Sequence, residues 1–91
     1  NVHSLRRGAA EAIEVTAHGD SRSSKIVGRR LDEINLPAGV TIGAIVRGEQ
    51  VLIAHRDVVV DSDDHVILFL LDRKQIGAVE KLFAVGLGFF S

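Results

Sequence analysis

Residues 31–55, LDEINLPAGVTIGAIVRGEQVLIAH, decide how this 91-residue chain is read. They hold the end of an apolar stripe at helical spacing, a Pro37-x-Gly39 stop, and two β-rich runs separated by Gly48-Glu49. Glycine at the first position of a two-residue loop takes the positive φ of a tight primed turn, so residues 40–47 and 50–55 are predicted to form a β-hairpin. Strict alternation along the first strand puts Val40, Ile42, Ala44 and Val46 on one face and Ile45, beside Gly43, on the other. Both faces are then largely apolar. One is expected to pack on a helix and the other on a second subunit.

Upstream, residues 13–17 read as a strand, with Ile13 and Val15 opposite Glu14 and Thr16, closed by the turn residues His18-Gly19-Asp20-Ser21. After a polar loop over residues 22–25, Ser24 is a candidate N-cap for a first short helix carrying Val27, Leu31 and Ile34 and ended by Pro37 and Gly39. Downstream, residues 58–60 suit a brief strand, Asp61-Ser62-Asp63-Asp64 an acidic turn, and the continuous apolar run 66–71 a fully buried strand. Asp72-Arg73-Lys74-Gln75 resembles a capping box opening a second helix, whose Ile76, Val79, Leu82 and Phe83 form a core-facing stripe. The pattern is α+β: a mostly antiparallel sheet with a hairpin and two short helices. Residues 1–11 read as a loosely ordered tail or linker, residues 12–85 as the domain, and residues 86–91 as an apolar tail whose Phe89 and Phe90 need a neighbour to cover them.

Composition narrows the function. A domain this small buries only about 60% of the surface its unfolded chain exposes, so a partner subunit would add to its stability. The apolar content is 46%, with four Phe and no Trp or Tyr, so the core is built from Val, Ile, Leu and Ala. Eleven basic against twelve acidic side chains give a net charge of −1, which supplies no cationic field for nucleic acid. Six consecutive apolar residues, 66–71, form the longest such run, against the roughly 18–20 that a membrane span requires. The chain starts at Asn1, lacks Met and carries no leader pattern, and reads as a domain cut from a longer protein.

No constellation for chemistry emerges. Asp61-x-Asp63-Asp64 would need Gly and Glu at the sixth and twelfth positions of a calcium loop, where this chain has Val66 and Asp72. A solvated turn accounts for those aspartates. His3, His18, His55 and His65 fall at no metal-ligand spacing, and the absence of Cys removes thiolate sites and disulfides. Ser21, Ser23 and Ser24 lie in no nucleophile elbow, and the Gly86-Leu87-Gly88 run follows a helix instead of opening one. The expected protein is not an enzyme and holds no metal or cofactor within this segment.

A resemblance gives the pattern a context. Ser24-x-x-x-Gly28-x-x-Leu31-x-x-Ile34-x-Leu36-Pro37-x-Gly39-Val40, then Ala44-Ile45-Val46-Arg47-Gly48, Val51-x-Ile53 and Asp64-x-Val66-Ile67 resemble the C-terminal domain of regulators of K⁺ conductance, the RCK_C or TrkA_C family. The flanks, from Val2-His3-Ser4-Leu5 through Glu14 and again at Val79-Glu80-Lys81-Leu82-Phe83 and Phe89-Phe90, are similar to Trk-type potassium-uptake regulators. Family members carry Gly before the aspartate of the last turn, where this chain has Asp63.

The resemblance implies a cytoplasmic, peripheral-membrane subunit at the inner face of the plasma membrane, controlling the membrane subunit of a Trk-type potassium transporter. NAD(H) or ATP/ADP would bind in RCK_N domains outside this chain, and residues 1–11 would be the tail of one. The RCK_C domains would form a homodimer and couple nucleotide sensing to gating. Ile45, Arg47 and His55, read as flanking the non-core face of the hairpin, are the candidate interface or small-molecule effector residues. Ile45→Asp is accordingly expected to separate dimers while leaving the monomer folded. Two other classes fit the pattern: an effector-binding module of another cation antiporter or symporter, and a dimerisation appendage of a metabolic enzyme.

Overall fold

The computed structural model describes residues 2–7 and 10–86, with residues 2–7 and 10 followed through their backbone. Strands β1 (Val2–Arg7), β2 (Ala10–Thr16), β3 (Val40–Arg47), β4 (Gln50–Ile53) and β5 (His65–Leu70) form one antiparallel sheet in the order β1-β2-β5-β3-β4. The segment expected to be a loose tail thus supplies an edge strand. Its ladder to β2, from Val2 opposite Val15 to Arg7 opposite Ala10, occupies backbone groups that β2 would otherwise leave open on that side. Residues 87–91, including the two Phe of the expected apolar tail, lie outside the described residues.

The hairpin forms as predicted, with Arg47 opposite Gln50 and Gly48 at φ +61°. Its faces do not. Ile42 pairs with Leu68 but Ala44 pairs with Ile67, so Gly43 is an extra residue in β3, a β-bulge against β5. A one-residue slip exchanges the two faces of everything beyond it. Val40 and Ile42 therefore share the core with Ile45, while Ala44 and Val46 turn to the opposite side. The expectation that Ile45 lies on the outer face is corrected: its exposure is 0%.

The core joins Ile13 and Val15 of β2, Val66, Leu68 and Leu70 of β5, and Val40, Ile42 and Ile45 of β3. Over it lie Ile26, Val27 and Val60 from the connections and Val79 and Phe83 of the helix α1 (Ile76–Phe83). A 3₁₀ turn, Arg73–Gln75, leads into α1, and Asp72 caps it by accepting from the Lys74 N–H at 2.9 Å. β5 is central, yet its exposure alternates, with Val66, Leu68 and Leu70 buried and His65 and Phe69 exposed. Among the described residues only one face of the sheet is covered, and Phe69 and Leu71 are exposed, which corrects the reading of 66–71 as a fully buried strand.

The first predicted helix is absent. Between Ser24 and Pro37 there is a single 3₁₀ turn, Leu31–Glu33. Ser24 Oγ does act as a cap, accepting from the N–H of Ile26 (3.1 Å) and Val27 (3.0 Å), but Gly28 then takes φ +83° and ends the turn. The backbone instead pairs with residues 56–60: the Gly28 N–H donates to Val60 O, the Leu31 N–H to Val58 O, and the Val60 N–H to Arg29 O. The helical stripe is partly satisfied all the same, because Val27 is buried and Leu31 and Ile34 pack against the core.

Candidate functional site

Three features could carry function. At the turn end of the hairpin, Arg47 continues the buried side of β3 and reaches the acidic turn. Its Nε donates to Asp64 Oδ1 (2.9 Å) and its Nη2 to Asp64 Oδ2 (2.8 Å) and to Val59 O (2.8 Å). Asp64, 1% exposed, also accepts from the Asp61 N–H at 2.8 Å. Burial pushes the Asp64 carboxyl up, but the hydrogen bonds from Arg47 and Asp61 and the charge of Arg47 outweigh it, so its pKa lies below the ordinary carboxylate range. The hydrogen bond to Asp64 likewise raises the Arg47 pKa against a smaller loss from burial. Asp63 takes φ +70°, the left-handed region that favours glycine and admits Asp at a cost. Backbone bonds from Ala17 N to Asp64 O and from Asp63 N to Ala17 O lock this turn to the end of β2. The arrangement is a structural clamp, joined at its rim by Asp61, whose Oδ2 lies 3.3 Å from Arg47 Nε.

At the other end of the hairpin, His55 stands beside a cleft of about 260 Å³. The buried Ile42 and half-buried Leu31 and Leu36 line it, with the exposed Asp32, His55 and Arg56. The structure therefore separates the three candidates: Ile45 in the core, Arg47 in the clamp, and His55 at this cleft. Among the described residues, no three His, Asp or Glu side chains come together as a metal site.

The third feature is the uncovered sheet face. Ile53 (74% exposed) opposes Ala44, which opposes Ile67; Val51 (62%) opposes Val46, which opposes His65. Phe69, 50% exposed, lies over the bulge, where a Cβ on Gly43 would stand 2.9 Å from its Cδ2 and closer still to Cε2. Glu14 Oε2 and His65 Nδ1 approach to 3.1 Å beside this apolar band. Sequence reading passed over Val51, Ile53 and Phe69. The available signal was the alternation of 50–55, in which Val51 and Ile53 share a face opposite Leu52 and Ala54.

Among the described residues, a single antiparallel sheet covered on one side and apolar and exposed on the other, with the Arg47–Asp64 pair as a clamp, defines a small α+β module. The chain belongs to the TrkA-C domain family, whose profile matches residues 21–84. It is 69% identical over 90 residues to the Trk system potassium uptake protein TrkA of Halomonas elongata, covering 99% of this chain and 20% of that protein. The protein of the same name from Vibrio alginolyticus is 63% identical over 83 residues, 91% of this chain and 18% of its own length. A TrkA homolog of Methanosarcina mazei is 38% identical over 74 residues, covering 81% and 16%. The chain thus spans about a fifth of the length of the curated relatives it matches. Among the described residues no helix is long and apolar enough to cross a membrane.

Proposed function

We propose that this domain is the non-catalytic regulatory module of a cytoplasmic, peripheral-membrane subunit that controls a Trk-type potassium transporter. The family match supports the system. The bare apolar face of β3, β4 and β5 supports the mode of action, which is homodimerisation through this domain. That face is apolar in its middle and has the Glu14–His65 pair at its margin, a composition that a second copy of the same face would match in an isologous contact. In the intact protein, nucleotide-binding RCK_N domains taking NAD(H) or ATP/ADP would bias the arrangement of the dimer, and this domain would transmit that bias to the transporter.

Ile53→Asp tests the interface. Ile53 lies outside the core cluster, so the variant stays folded and loses only the stability that the partner adds, while light scattering shows it as a monomer and potassium uptake loses its regulation. A dimer of unchanged mass would remove this face from the proposal. The cleft beside His55 is the place for a small effector.

A further inference from the structure

Between the loop 20–29 and the chain that leaves α1 lies a cavity of about 410 Å³. Arg22, Lys25, Arg29 and Lys81 line it, together with the serines of the loop, and no Asp or Glu does. Lys25, Arg29 and Lys81, three of the eleven basic residues of a chain with net charge −1, thus meet at one cavity, with Arg22 beside them. The only acid of the loop, Asp20, uses its Oδ1 to accept from the N–H groups of Arg22 (2.9 Å) and Ser23 (3.0 Å) and from the Ser23 hydroxyl (3.1 Å). Among the described residues no ion pair engages Lys25, Arg29 or Lys81.

The walls are fixed independently of those cations. Asp20 holds the first turn, and Ser24 Oγ, buried, accepts from two backbone N–H groups, which leaves its proton to donate. The Gly86 N–H donates to Ser23 O at 2.9 Å, and Ser24 pairs with Val85, pinning the loop to the segment after α1. Gathering like charges on a fixed wall is unfavourable unless a counter-charge joins them. The carbonyl end of α1 also repels an anion, so the cationic side chains are the recognising groups.

We infer that this cavity binds a phosphate-bearing anion, held by Lys25, Arg29 and Lys81 with hydroxyl donors from the loop. Several cations together call for an anion of more than one charge, and arginine and lysine beside serine hydroxyls match phosphate oxygens. A soluble phosphorylated compound and a phospholipid headgroup both present this chemistry.

Lysine acetylation of the full-length protein, read residue by residue by mass spectrometry, tests the site. Pyrophosphate slows acetylation of Lys25 and Lys81 severalfold and leaves the exposed Lys74 unchanged; added salt removes the protection. Lys81→Gln shifts the pyrophosphate concentration needed to protect Lys25 upward by about tenfold, the loss of one charged hydrogen bond. Protection by phosphatidylglycerol vesicles and not by pyrophosphate supports the same site with a lipid headgroup as the source. Unchanged rates at Lys25 and Lys81 with both probes, or equal protection of Lys74, overturn the inference.

Discussion

The two faces of the β3–β4 hairpin have nearly the same composition and opposite fates. On one, Val40, Ile42 and Ile45 are sealed beneath α1 and the connections; on the other, Val46, Val51 and Ile53 face outward with no covering element among the described residues. Hydrophobicity alone does not assign a face. What decides is which side receives the helix, and the bulge at Gly43 decides which half of the strand presents which residues to it.

The same substitution on each face tests this most sharply. Ile45→Asp places a carboxylate at a fully buried position and removes a core side chain. It is expected to cost at least about 4 kcal/mol, a large part of a small domain's stability. The outcome is loss of the cooperative unfolding transition in circular dichroism, not a folded monomer as strict alternation implies. On the bare face, Ile53→Asp is expected to keep a cooperative transition and to lose only the stability that the second subunit adds. If both variants unfold alike, the two faces are equally structural and the contrast fails.

Next in size is the clamp that ends the buried side of β3. Asp64→Asn leaves Arg47 facing a neutral group. Breaking a buried pair costs about 3–5 kcal/mol, but the Arg47 side chain is 34% exposed and water takes part of its charge, so about 2 kcal/mol is expected in urea unfolding. The pH dependence carries the same signature. Because the folded Asp64 pKa lies below 3.8, its stabilisation is complete above that value and is lost as pH falls through the folded pKa. In Asp64→Asn this acid-side loss is reduced. An unaltered acid profile would mean that Asp64 is not the titrating group.

Much of the fold was readable from local chemistry. The Gly48 turn, the Asp72 cap and the 76–83 stripe each rest on interactions within a few residues, and each is present. What escaped depends on partners distant in sequence. The Val27, Leu31 and Ile34 spacing suits a helix, but Gly28 and the pairing with residues 56–60 draw the backbone away from it. The solvated reading of the acidic turn suits Asp61 and Asp63, whereas Asp64 is buried by an arginine seventeen positions earlier. Of the candidate residues, His55 alone lies at an open cleft, because the bulge took Ile45 inward and the clamp took Arg47.

The smallest expected effect acts at the bulge itself, where its sign is more telling than its size. A methyl group on Gly43 runs into the Phe69 ring, which is half exposed and can swing aside. Gly43→Ala should therefore cost about 1 kcal/mol, the low end of overpacking. Gly43 has no positive φ, so nothing in its backbone forbids alanine. With the ring removed, the same methyl should stabilise by about 0.5 kcal/mol, through lower entropy of the unfolded chain. Urea unfolding of Gly43→Ala, Phe69→Ala and the double variant gives both values. A change of sign assigns the glycine to the ring that shields it on the open face; a cost that persists without the ring assigns it to the backbone geometry of the bulge, and the exchange of faces then depends on glycine itself.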